Sequence, residues 1–278
     1  MTIIYRTGLI FYCIGVASIG IQQFSYGDLR PVLAPSDWPA WIHGSSFWAF
    51  LTGGVLLIAS ALILMKFKAR LVSASLGAFL LSLFIFFYVP YRLFISPNLA
   101  RHMGLWVDPL KELALAGGAF VIASSCPKKN GILNDSTFLL MGRVCFSITM
   151  AVFGYGHFLY PDSVSKLVPG WIPGPYFWTY FAALALIGSG FGILFKIRIY
   201  WVAILTGIMI FIWFIVLHIP RAIADPYGEK GNELTSVFEA LAFSGIAFLI
   251  AHIYAEKGDT QTQSPKNLIP EYEKNQQY

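Results

Sequence analysis

The sequence predicts an all-α, polytopic membrane protein in which eight transmembrane helices form two parallel, pseudo-symmetric four-helix bundles. Composition, the placement of charge and an internal repeat together predict it. Of the 278 residues, 57% are hydrophobic and 12% are charged, whereas an ordinary soluble domain carries about 25% charged residues. The charges are also segregated, leaving charge-free windows at residues 7–27, 45–65, 71–91, 113–127, 144–161, 167–195, 199–220 and 240–255. Each approaches the roughly 20 apolar residues that a helix needs to cross the hydrocarbon layer, where every backbone amide must be bonded within its own helix.

The first window follows Arg6 and resembles a secretory signal, but it lacks a small-residue cleavage site and has a counterpart later in the chain, so it reads as a retained span. The second and sixth windows open on related phrases, WIHGSSFW from Trp41 to Trp48 and WIPGPYFW from Trp171 to Trp178. Trp rings favour the membrane interface, and Pro and Gly shape the turn into the next helix. The third and seventh windows end in YVP, Tyr88 to Pro90, and HIP, His218 to Pro220. Proline removes a backbone donor, so Pro220 is expected to end its helix. The fourth and eighth windows are short. Helices of spanning length there must draw Glu112 and Glu239 into the outer membrane boundary. Glycines in GSGFG, at Gly188 to Gly192, and the pairs Gly53 with Gly54 and Gly117 with Gly118 fit no nucleotide motif and read as helix-packing residues.

The repeat explains the paired phrases. An offset of 171 − 41 = 130 superposes Trp41 on Trp171, Gly44 on Gly174 and Trp48 on Trp178. With small shifts, QFSYGD at Gln23 to Asp28 overlies HFLYPD at His157 to Asp162, and Glu112 overlies Glu239. The chain thus divides into a first repeat at residues 1–135, a second at 136–257 and a polar, disordered tail at 258–278. An even number of spans per unit gives parallel repeats about an axis along the membrane normal. With the N-terminus, the even-numbered turns and the tail on one side, 12 of the 19 Lys and Arg collect there, which makes both termini cytoplasmic. Basic residues form no continuous face, so nucleic acid is not an expected partner; membrane lipid is. Cys13, Cys126 and Cys145 have no C-x-x-C spacing, and no disulfide is expected.

Where the repeats diverge, chemistry is expected. The second carries His157, His218 and Arg221 where the first has Gln23, Tyr88 and Tyr91. Ionisable groups at membrane depth face protein or a wet cavity, so His157, His218, Arg221 and Glu239 form the candidate catalytic cluster, with Tyr160, Trp171 and Trp178 as candidate ligand-binding residues. No metal-ligand motif accompanies them.

The second unit, through HFLYP, LVPGWIPGPYFWTY, HIPR and EALAFSG, resembles the DoxX family of four-helix bacterial membrane proteins. The resemblance covers residues 142–255 and fades over 1–127, which resemble a degenerate second copy. It implies a place in the bacterial cytoplasmic membrane and importance for His157, Pro161, Trp171, His218, Pro220, Arg221 and Glu239. DoxX-like proteins include membrane subunits of a thiosulfate:quinone oxidoreductase, which implies a quinone-linked redox subunit, with quinone as cofactor and a partner redox protein. In that reading His157 or His218 handles protons, Arg221 holds an anion and Glu239 sets the charge of a histidine. Haem between the two histidines is disfavoured, because nothing in the sequence turns them toward each other. The alternative is a non-enzymatic membrane module that binds or transports a small ligand or scaffolds a partner.

Overall fold

The computed structural model describes residues 2–35, 46–95, 102–126 and 134–262. Trp41 to Ser45 of the first aromatic phrase, Lys128 and Lys129, and residues 263–278 of the expected tail lie outside the described residues. Among the described residues there is no strand, and eight long helices carry the fold. These are α1 (Ile3–Tyr26), α2 (Ser46–Leu64), α3 (Ala69–Leu83), α4 (Val107–Ser125), α5 (Asp135–Leu159), α6 (Pro175–Leu194), α7 (Ile199–Trp213) and α8 (Asn232–Thr262). Seven helical segments are long and apolar enough to cross a membrane; α4 is left out of that number, having Asp108, Lys111 and Glu112 near its start.

Local chemistry sets the helix ends. Thr2 caps α1 by accepting from the Tyr5 amide, and Gly27, at φ 61°, closes it. In the second aromatic phrase Gly174 takes φ 71° and Pro175 opens α6, as the Pro-Gly wording suggests. Proline 220 does not end its helix. The chain leaves α7 through a π turn, Phe214–His218, and continues as helix over Ile219–Ala224. A π turn changes the hydrogen-bond register, so the missing proline donor is absorbed without breaking the rod. The last helix also departs from expectation, running to Thr262, within the stretch read as tail.

Matching features recur at the repeat spacing. A π turn at Phe84–Tyr88 answers the one at Phe214–His218, and α3 starts and stops 130 residues before α7 (199 − 69 = 130). The turns before them hold left-handed Lys66 and Lys68 in one case, and Lys196 and Arg198 in the other. Left-handed backbone is costly for residues with a Cβ, so its recurrence at the same two turn positions is a specific likeness.

The helices are not sorted by chain order into two self-contained bundles. The most extensive contacts join α1 to α8 and α5 to α4, each pairing the first helix of one half with the last of the other. Within each half, α1 packs on α2, α3 on α4, α5 on α6 and α7 on α8, and α4 meets α8 between the halves. Close approach depends on small residues. A Cβ added to Gly8 would stand 2.8 Å from the Gly245 carbonyl oxygen, and one on Gly142 would stand 2.6 Å from that of Gly117. Of the glycines read as packing residues, Gly53, Gly117, Gly118, Gly190 and Gly192 do face neighbours, while Gly54 and Gly188 face open space.

Burial follows from this layout. Residues from Pro109 to Ala123 of α4 are nearly all buried, so its polar start is shielded by protein. Phe86, Leu184, Leu205 and Ile58 on the outer helices are, by contrast, more than 60% exposed. So much apolar surface on a soluble monomer would drive aggregation; with seven helices of spanning length, it fits contact with membrane lipid.

Candidate functional site: a cavity between α4, α5, α6, α7 and α8

The wide turn that ends α7 brings His218 to the wall of a cavity of about 390 Å³. His157, two residues before the end of α5, forms part of the wall, and Glu239, seven residues into α8 (239 − 232 = 7), forms another. Trp178 from α6 and Trp213 from α7 meet edge to face with centroids 6.1 Å apart, and both line the space. Tyr160 and the segment bearing Val164, Leu167 and Val168 border it after α5. Most of the lining is apolar.

Five of the seven expected residues, His157, Tyr160, Trp178, His218 and Glu239, therefore share one cavity. Trp171 is not among its lining residues and is 73% exposed. Arg221 is also absent from the lining, and its guanidinium engages Glu233 twice, with Nε donating to Oε2 at 2.9 Å and a second bond to Oε1. The charge of Arg221, expected to hold an anion, is thus matched by Glu233.

Lys111 was not foreseen. Its ammonium lies 2.9 Å from Glu239 Oε2 and 3.0 Å from Asp108 Oδ1, and its side chain lines the cavity. Glu239, expected to set the charge of a histidine, is 3% exposed and pairs with this lysine. The available signal was spacing: Asp108 and Lys111 are three residues apart at the start of an otherwise apolar helix, which puts them on one face. Searching the second repeat alone hid it, since α4 belongs to the first.

The two histidines differ in bonding. His157 Nδ1 lies 2.7 Å from the Phe153 carbonyl, one turn earlier on α5. A carbonyl oxygen only accepts, so neutral His157 carries its proton on Nδ1 and a lone pair on Nε2. Among the described residues Nε2 has no protein partner, and it is not sealed within the protein. His218 Nδ1, in contrast, is sealed and without a partner among the described residues. Such a group is expensive to leave unsatisfied.

The corresponding positions of the first repeat are occupied differently. Tyr88, the counterpart of His218, is fully buried and donates its hydroxyl to the Pro31 carbonyl. Gln23, the counterpart of His157, accepts from Thr52 Oγ1 at 3.0 Å. The segment after α1 packs inward, with Val32, Leu33 and Ala34 all buried, whereas Leu167 is 36% exposed and Lys166 exposed after α5. Arg30, 1% exposed, reaches across to α8 and donates to Thr235 Oγ1 and the Lys230 carbonyl; burial lowers its affinity for its proton.

Fold and cavity together define a class: a helical protein suited to a membrane, with an apolar cavity that contains a buried ion pair and two histidines. No family model, curated protein or solved structure matches the chain.

Proposed function

We propose that this chain is a DoxX-like protein of the bacterial cytoplasmic membrane and that its cavity binds a small, largely apolar molecule with a hydrogen-bonding head. In this reading it crosses the membrane eight times, with α4 as a span hidden from lipid and both termini cytoplasmic. Residues 1–135 and 136–257 are parallel repeats related by a pseudo-two-fold axis, and the recurrence of the π turns and left-handed basic residues at the 130-residue spacing supports it. The observation that carries the function is the cavity itself: about 390 Å³, mostly apolar, with His157, His218 and the Lys111–Glu239 pair in its wall. Ligand sites commonly have this form, an apolar volume with a few placed polar groups.

A second reading adds chemistry to the same site. A quinone needs an apolar slot with hydrogen-bonding groups for its ring oxygens, and His157 and His218 approach the cavity from different helices. Electrons would then come from a partner redox protein, with His157, His218 and Glu239 holding the ligand and its protons.

Titrating the purified protein in detergent with a short-chain benzoquinone, while following Trp fluorescence, tests binding, because Trp178 and Trp213 line the cavity. Saturable quenching that disappears in Ala182→Trp, which fills the cavity from α6, is expected. Equal quenching in both proteins would defeat the proposal. Quinone reduction by membranes supplied with a reduced donor, beside membranes bearing His218→Ala, separates the readings: protein-dependent reduction lost in the variant supports the redox subunit, and binding without reduction leaves the module.

A further inference from the structure

The bonding of His157 says which head group the cavity prefers, an inference that rests on the ligand-binding reading above. Its Nδ1 proton is committed to the Phe153 carbonyl, which leaves Nε2 as an acceptor without a protein partner among the described residues. His157 lines the cavity, so a ligand that reaches Nε2 must bring a donor to pair with it. The charges nearby select further. Lys111 is flanked by two carboxylates, Asp108 and Glu239, and Arg221 is matched by Glu233, so neither of these two cations is left unmatched to attract an anion.

We infer that the cavity selects neutral lipophiles bearing a hydroxyl group, phenols and hydroquinones in particular, with the ligand O–H donating to His157 Nε2. It disfavours ethers, which cannot donate, and small oxyanions such as thiosulfate, for which the lining ammonium of Lys111 is already paired with carboxylates. The fully oxidised quinone, having no hydroxyl, binds more weakly than its hydroquinone. His157 is thus a specificity-determining residue. In the first repeat Gln23 stands at the corresponding position, and its acceptor oxygen is already taken by Thr52, so the same preference is not offered there.

The test compares a para-alkyl phenol with its methyl ether by calorimetric titration of the full-length protein in detergent. The two probes match in shape and apolar area and differ in the donor. The phenol is expected to bind about tenfold more tightly, the scale of one net hydrogen bond. In His157→Phe the ratio should fall to about one, while His157→Gln, which keeps an acceptor, should retain a preference. Millimolar thiosulfate should not displace the phenol. An ether that binds as tightly as the phenol to the wild-type protein, or displacement by thiosulfate, overturns the inference while the cavity reading stands. Failure of both probes to bind removes the cavity reading, and the inference with it.

Discussion

Lys111 and Glu239 form the polar centre of the cavity, and each depends on the other. Their side chains are 14% and 4% exposed, so removing Lys111 leaves the Glu239 carboxylate buried and unmatched, at a cost of about 3–5 kcal/mol, while removing Glu239 leaves Lys111 with Asp108 alone. Lys111→Met and Glu239→Leu should each lower the thermal unfolding temperature in detergent, whereas the double variant Lys111→Met with Glu239→Leu should recover most of the loss. Additive losses in that cycle would mean that the pair contributes nothing as a pair. Of these residues, Glu239 was legible in the sequence as an acidic group drawn into a short apolar window, and the structure buries it. Lys111 was not, because its role arises from packing between the last helices of the two repeats, α4 and α8, which no local pattern encodes. Arg221 was legible as a charge three residues from His218, but the sequence does not say that Glu233 will reach it.

At the scale of elements, the segments after α1 and α5 tell the repeats apart more than any single residue does. Leu33 is 4% exposed and belongs to the main core, while its counterpart Leu167 lies 36% exposed at the cavity. Leu33→Ala is expected to cost about 2–5 kcal/mol, and Leu167→Ala under about 1 kcal/mol; chemical unfolding measures both, and equal losses would mean that the two segments pack alike. Helix contacts give a second prediction. Because a Cβ on Gly142 would press within 2.6 Å of the Gly117 carbonyl oxygen, Gly142→Leu should force α4 and α5 apart and abolish the folded form in detergent, whereas Gly188→Leu, which enters open space, should not. Helix positions and turn glycines could be read from charge-free windows and Pro-Gly wording. The π turns could not, since they arise where proline 220 and its equivalent, proline 90, meet a rod that packing keeps continuous.

Across the whole molecule, the first and last helices of opposite halves pair more extensively than the first and last helices of the same half. The repeat was legible as a period in the sequence, but a period does not say whether two units stand side by side or interleave. The cavity takes Lys111 from the first half of the chain and its other polar groups from the second, so under the proposed function neither half is expected to bind ligand alone. The direct test uses an alkyl phenol carrying a photoreactive diazirine, applied to the protein in detergent and mapped by peptide mass spectrometry. Competable adducts should fall on both α4 near Lys111 and the α5 and α8 walls near His157 and Glu239. Adducts confined to outward residues such as Phe86 and Leu205, undiminished by unlabelled phenol, would contradict a ligand cavity shared by the two halves.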